Sequence, residues 1–124
     1  MKFDIAIIGG GPGGYTAAEK AAKAGLQVIL FEKEDLGGTC LNRGCMPTKA
    51  LLHSAETYSI LGKAEELGVR TYETDYDFGA MHARKDQVVE TLRQGVEKLM
   101  KSNKITVIRG QGCIEAPGIV TCDG

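Results

Sequence analysis

Phe3-Asp4-Ile5-Ala6-Ile7-Ile8-Gly9-Gly10-Gly11-Pro12-Gly13-Gly14 opens the chain and decides its fold. A continuous aliphatic run from Phe3 to Ile8 that ends in a cluster of glycines has the pattern of a strand buried on both faces of a parallel sheet, followed by a sharp turn. Alanine-rich Tyr15 to Ala24 then reads as helix, with Gly25 in the position of a C-terminal stop. Gln27 to Glu32 is a second apolar run of strand length, and it ends on a carboxylate. The opening is therefore βαβ, the unit of a Rossmann-like α/β fold with a parallel sheet.

Further along, Lys33 to Met46 is turn-rich. A helix follows from Pro47, a residue suited to the first helical turn. The polar stretch 70–77 interrupts the pattern. Met81 to Lys101 then carries Val88, Val89, Leu92, Val96, Leu99 and Met100 at spacings of three and four, one buried face of a long helix. Ile105 to Ile108 is a third strand, and the tail from Gly110 reads as short antiparallel strands around Ala116-Pro117-Gly118.

The 124 residues bound the chain to one compact domain or a portion of a larger one. A net charge of −1 leaves no electrostatic footprint for nucleic acid or an anionic membrane. The only strongly apolar N-terminal stretch, Ile5 to Ile8, is far shorter than a signal peptide core or a membrane span, so a cytoplasmic location is expected. Four cysteines in such a chain point to catalysis or metal binding rather than a disulfide framework. Nine of the 17 glycines fall in the first 44 residues, so their concentration has a local cause.

Gly9-x-Gly11-x-x-Gly14 is a weak pattern alone, but here it follows a strand, opens a helix and precedes Glu32 at the end of the next strand. Gly9 permits the tight turn, Gly11 lets backbone amides approach a pyrophosphate, and Gly14 lets helix and strand pack closely. Glu32 can accept hydrogen bonds from a ribose. The bland alternative is a glycine-rich turn without a ligand.

Gly37-Gly38-Thr39-Cys40-Leu41-Asn42-Arg43-Gly44-Cys45-Met46-Pro47-Thr48-Lys49 is the second informative stretch. In a regular helix the two cysteine Cα atoms would stand about 8.7 Å apart, beyond the roughly 7 Å that a disulfide spans. If they pair, the backbone is irregular there, and Gly44 supplies the freedom. A helix starting just after Cys45 aims its positive dipole end at that thiol and stabilises a thiolate. Spacing alone equally allows two free, partly buried cysteines. Cys113 and Cys122 lack the short ligand spacing of zinc sites, so no metal is expected.

The glycine fingerprint, Glu32 and the Cys40–Lys49 motif together resemble the flavin disulfide reductase family, over the whole length of the chain. Within that family, Cys-Leu-Asn and Lys-Ala-Leu-Leu-His-Ser-Ala are most similar to the branch that oxidises dihydrolipoyl groups with NAD. Mercuric and glutathione reductases carry a similar cysteine motif and are the enzymatic alternatives; a nucleotide-binding module without redox turnover is the non-enzymatic one. The resemblance implies FAD as cofactor, with contacts from Gly9, Gly11, Gly13, Gly14, Glu32, Gly38, Thr39, Lys49 and Gly112. It implies a Cys40–Cys45 disulfide in which Cys45 exchanges electrons with the flavin and Cys40 attacks the substrate. Lys49 would stand near the reactive edge of the ring.

Implied partners are lipoyl domains of 2-oxo acid dehydrogenase or glycine cleavage complexes, and a second subunit of a homodimer. The resemblance covers residues 1–124 as the N-terminal part of an FAD-binding domain, without the NAD and dimerisation domains. This chain alone is accordingly expected to be inactive with NAD, to hold FAD weakly and to associate through an unpaired sheet edge. His53 and His82 are not expected to replace the family's acid/base pair.

Overall fold

A computed structural model describes residues 1–123. Strand β1 (Ile5–Ile8), helix α1 (Pro12–Lys23) and strand β2 (Val28–Glu32) form the expected βαβ unit. Three helices follow, α2 (Gly38–Arg43), α3 (Cys45–Gly62) and α4 (Phe78–Ser102), with a 3₁₀ turn at Ala64–Leu67 between the last two. Strand β3 (Thr106–Arg109) then completes a parallel sheet of order β1-β2-β3, with Ile5 opposite Val28 and Ile29 opposite Thr106. A separate antiparallel hairpin joins β4 (Gln111–Ala116) to β5 (Ile119–Asp123). The fold is α/β with a short antiparallel tail, as the pattern of runs indicated.

The local stops work as the residue types require. Gly25 has φ +87° and closes α1 with Gly25 N–H donating to the Ala22 carbonyl at 3.0 Å and Leu26 N–H to that of Ala21 at 3.2 Å, the paired bonds of a Schellman motif. Asp77 caps α4, its Oδ1 accepting from Ala80 N–H at 2.9 Å. That cap starts the helix at Phe78, three residues before the apolar spacing becomes visible.

One core forms on the helical side of the sheet. Leu30 and Met100 are 0% and 1% exposed, packed with Ala18, Val28, Leu36, Leu41, Val96 and Ile105. The other sheet face meets the β4–β5 hairpin, where Gly112 lies close against Phe31 and Ile8.

Three expectations need correction. Phe3 to Ile8 is not buried on both faces: β1 is an edge strand whose alternate residues are exposed, with Ile8 at 47%. Central β2 is the most buried strand, with the helices on one face, the hairpin against Phe31 on the other and a strand along each edge. The turn-rich stretch after Glu32 contains α2, whose six residues are too few to show a period. Leu92 stands at the margin of the α4 face and is 39% exposed, while Val96 and Met100 are buried.

Met100→Ala is therefore expected to lower unfolding free energy by about 2–5 kcal/mol, and Leu92→Ala by well under half of that. Urea unfolding followed by circular dichroism, with unchanged slope, measures both; equal losses would refute this assignment of the helix face.

Candidate functional site

The glycine turn is built from close backbone contacts. A Cβ at Gly14 would stand 1.8 Å from the Gly9 carbonyl oxygen, so no other residue fits there without moving the turn. Gly9 itself has φ +101°, a conformation that side chains other than hydrogen rarely permit. By contrast, a Cβ at Gly9 or Gly13 would meet nothing within 4 Å, and one at Gly11 only the Cα of Gly38 at 3.9 Å. These glycines border open space. No side chain caps the N-terminus of α1 and its first turn holds no acidic residue, so an anion meets uncapped N–H groups there.

A cleft of about 340 Å³ opens beside this turn, lined among others by Gly9, Glu32, Gly38, Thr39, Gly110 and Gly112. The larger hollow of about 570 Å³ between α4 and the segment after β2 is lined mostly by charged side chains and includes none of the glycine turn. Convergence of the glycine turn, Glu32 and Thr39 makes the smaller cleft the candidate site. Each oxygen of Glu32 already accepts one backbone N–H, Oε2 from Gly10 at 2.7 Å and Oε1 from Glu34 at 2.8 Å. A carboxylate retains further lone pairs for a ribose hydroxyl. Glu32 thus also braces the turn, a role that the glycine spacing did not disclose.

Cys40 and Cys45 form a disulfide with Cα atoms 4.7 Å apart. The chain achieves this by ending α2 at Arg43 and starting α3 at Cys45, with Gly44 between them at φ −128° and ψ −105°. A Cβ at Gly44 would crowd the Thr39 carbonyl oxygen at 3.1 Å and Cys40 Cα at 3.3 Å. Cys45 is exposed and is the first residue of an 18-residue helix, whereas Cys40 is half-buried. Thr39 links the two features, since it lines the cleft and precedes Cys40. Lys49 lies exposed one turn beyond Cys45 and makes no ion pair among the described residues.

Cys113 and Cys122 are free. Cys113 stands opposite Thr121 and Cys122 opposite Gly112, so their side chains leave opposite faces of the hairpin. Among the described residues no group of three or more His, Cys, Asp or Glu is placed to hold a metal. His53 is exposed on α3, and His82 sits edge-on to Phe78 near the start of α4, with ring centroids 4.6 Å apart. No helix among the described residues is long and apolar enough to cross a membrane.

Several supporting residues escaped the sequence reading. Asp35 accepts from Arg93 at 2.9 Å and from Arg109 at 2.7 Å, tying the segment after β2 to α4 and β3. Arg43 pairs with Glu34; that hydrogen bond first, and the charge behind it second, raise the guanidinium pKa above its ordinary value. Gly37 N–H donates to the Gly10 carbonyl at 2.8 Å, joining the cysteine segment to the glycine turn. Partners this distant in sequence leave no local signal.

The family model described as pyridine nucleotide-disulphide oxidoreductase matches residues 3–122. Among curated relatives, the dihydrolipoyl dehydrogenase of Chlamydia muridarum is 50% identical over 112 residues, covering 90% of this chain and 24% of that protein. The Bacillus subtilis enzyme of the same name is 48% identical over 118 residues, 95% of this chain and 25% of its own length. That of Acholeplasma laidlawii is 45% identical over 124 residues, 99% of this chain and 37% of its own. The chain thus spans 24–37% of the length of these relatives.

Gly13 and Gly14 provide a test of the turn. Gly14→Ala is expected to cost at least about 1–3 kcal/mol through overpacking, while Gly13→Ala, at an open helical position, gains about 0.4–1 kcal/mol. Thermal unfolding of the two variants reads the difference, and similar melting temperatures would contradict the contact.

Proposed function

Since the chain belongs to the pyridine nucleotide-disulphide oxidoreductase family, we propose that residues 1–124 form part of an FAD-binding domain and carry the redox disulfide of a dihydrolipoyl dehydrogenase. One observation supports this above others: the short helix α2 both lines the open cleft, through Gly38 and Thr39, and carries Cys40 of the disulfide with Cys45. Gly9, Gly11, Gly13, Gly14 and the uncapped start of α1 would hold the pyrophosphate, and Glu32 and Gly112 the adenosine end. Gly38, Thr39 and Lys49 would contact the remainder. The turn fits such a group because Gly9, Gly11 and Gly13 border open space that side chains there would fill. FAD, when bound, supplies a two-electron acceptor for the reduced thiol pair.

The chain's own chemistry is thiol–disulfide exchange. A dihydrolipoyl thiolate attacks Cys40 Sγ, the Cys40–Cys45 bond breaks, and its electron pair leaves on Cys45 Sγ. The second dihydrolipoyl thiol then attacks the sulfur joined to Cys40, which closes the lipoyl disulfide and releases the Cys40 thiol. Two electrons and two protons have moved from substrate to protein. Attack falls on Cys40 because the better leaving group is the thiolate at the start of α3, where the helix dipole stabilises negative charge.

Lipoyl domains of 2-oxo acid dehydrogenase or glycine cleavage complexes are the proposed electron donors, a homodimer the proposed assembly, NAD the final acceptor of the longer enzyme, and the cytoplasm the proposed setting. Identities of 45–50% to dihydrolipoyl dehydrogenases favour this reading over a glutathione or mercuric reductase.

Incubation with dihydrolipoamide, acid quench and alkylation should give one lipoamide and two newly alkylated cysteines, Cys40 and Cys45, per chain. Cys45→Ser should give none. Equal labelling of Cys113 or Cys122 before and after treatment is the internal control, and a Cys40–Cys45 pair that stays closed would overturn the proposal.

A further inference from the structure

Helix α2 has only six residues, too few to persist by its own backbone bonds, yet its position sets the distance between Cys40 and Cys45. Leu41 anchors it to the core, 6% exposed. A single apolar anchor fixes depth but leaves rotation about the contact free. Among the described residues, side-chain hydrogen bonds from α2 come from two residues. One is the exposed Arg43–Glu34 pair, of a kind that holds geometry weakly. The other is Asn42.

Asn42 Nδ2 donates to the Leu36 carbonyl at 3.1 Å and the Gly38 carbonyl at 3.0 Å, and grazes that of Asp35 at 3.4 Å. Its Oδ1 is buried without a partner, so the carboxamide accepts a cost on one side to keep its donors on the other. The segment it grips is itself tied to the glycine turn: Gly37 N–H donates to Gly10 at 2.8 Å, and a Cβ on Gly38 would stand 2.8 Å from Gly11 Cα. Asn42 lies two residues after Cys40 and three before Cys45. Its hydrogen bond to Leu36 therefore ties the dithiol segment to the backbone beside the nucleotide cleft, while the bond to Gly38, the first residue of α2, closes the short helix on itself.

We propose that Asn42 is a positioning residue that holds Cys40 at bonding distance from Cys45 by bracing α2 from within at Gly38 and fixing it to the backbone at Leu36. The inference rests on the redox reading of the pair given above. It concerns the equilibrium between disulfide and dithiol: the tighter α2 is held, the higher the effective concentration of one thiol at the other, and the harder the disulfide is to reduce. In the exchange, two glutathione thiols supply two electrons and two protons, Cys40 and Cys45 become thiols, and one glutathione disulfide forms.

The test equilibrates the 124-residue chain with reduced and oxidised glutathione, quenches with acid and quantifies Cys40 and Cys45 alkylation by mass spectrometry. Asn42→Asp replaces the donor by an acceptor facing carbonyls. Asn42→Leu removes the donor at similar volume and adds no charge, so it also serves if the aspartate variant fails to fold. Both should shift the equilibrium constant toward dithiol by about fivefold, the factor that the one tethering hydrogen bond to Leu36 supplies at ordinary net strength. Ile108→Ala, destabilising but on β3 away from α2, should lower the melting temperature and leave that constant within about twofold of wild type. An Asn42→Leu constant equal to wild type overturns the proposal, as does a shift seen with Asp alone, which would mark a charge effect. A wild-type pair that never exchanges with glutathione overturns the redox reading and this inference together.

Discussion

The contact between Gly14 and the Gly9 carbonyl is the constraint on which the rest is assembled. With no room for a Cβ between them, α1 starts directly against the end of β1, and its first N–H groups face outward rather than into a side-chain cap. Glu32 and Gly37 then reach the same turn from two sides, one through Gly10 N–H and the other through the Gly10 carbonyl. Buried or partly buried backbone groups need partners, and here the partners are supplied by the second strand and by the segment that leads to the cysteines. The cleft and the disulfide are thereby built on one frame.

The cysteine segment solves a separate geometric problem. Two thiols five positions apart cannot pair within a straight helix, and the chain resolves this with two helices that meet at Gly44. The break has a second effect, because it places Cys45 at the start of a long helix while Cys40 stays on a short one. The two sulfurs therefore differ electrostatically although their sequence surroundings are similar. An asymmetric disulfide is suited to directional exchange, in which one sulfur is attacked and the other leaves.

Distant charges complete the frame. Asp35 is gripped by Arg93 from α4 and Arg109 from β3. Exposed pairs of this kind stabilise little, but they tie the loop between β2 and α2 to α4 and β3. Asn42 acts on the same loop from within, through hydrogen bonds shielded from solvent. Orientation at this site comes from polar contacts, and cohesion comes from Leu30, Met100 and their neighbours.

The βαβ opening, the stop at Gly25, the α4 core face around Val96 and Met100, the antiparallel tail and the glycine–Glu32 spacing were all legible in the sequence, because each is a local pattern enforced by backbone sterics or by hydrophobic periodicity. The need for irregular backbone near Gly44 was legible for the same reason. What only the tertiary structure decided was which strand is central, so that β1 proved an edge, and that Leu92 falls at the helix margin. It also revealed α2, which is too short to carry a period and exists because Leu41 and Asn42 find partners in the surrounding fold. The braces Glu32–Gly10, Gly37–Gly10 and Asp35–Arg93–Arg109 join residues 22 to 74 positions apart, and no local propensity encodes a pairing that depends on where the whole chain has folded.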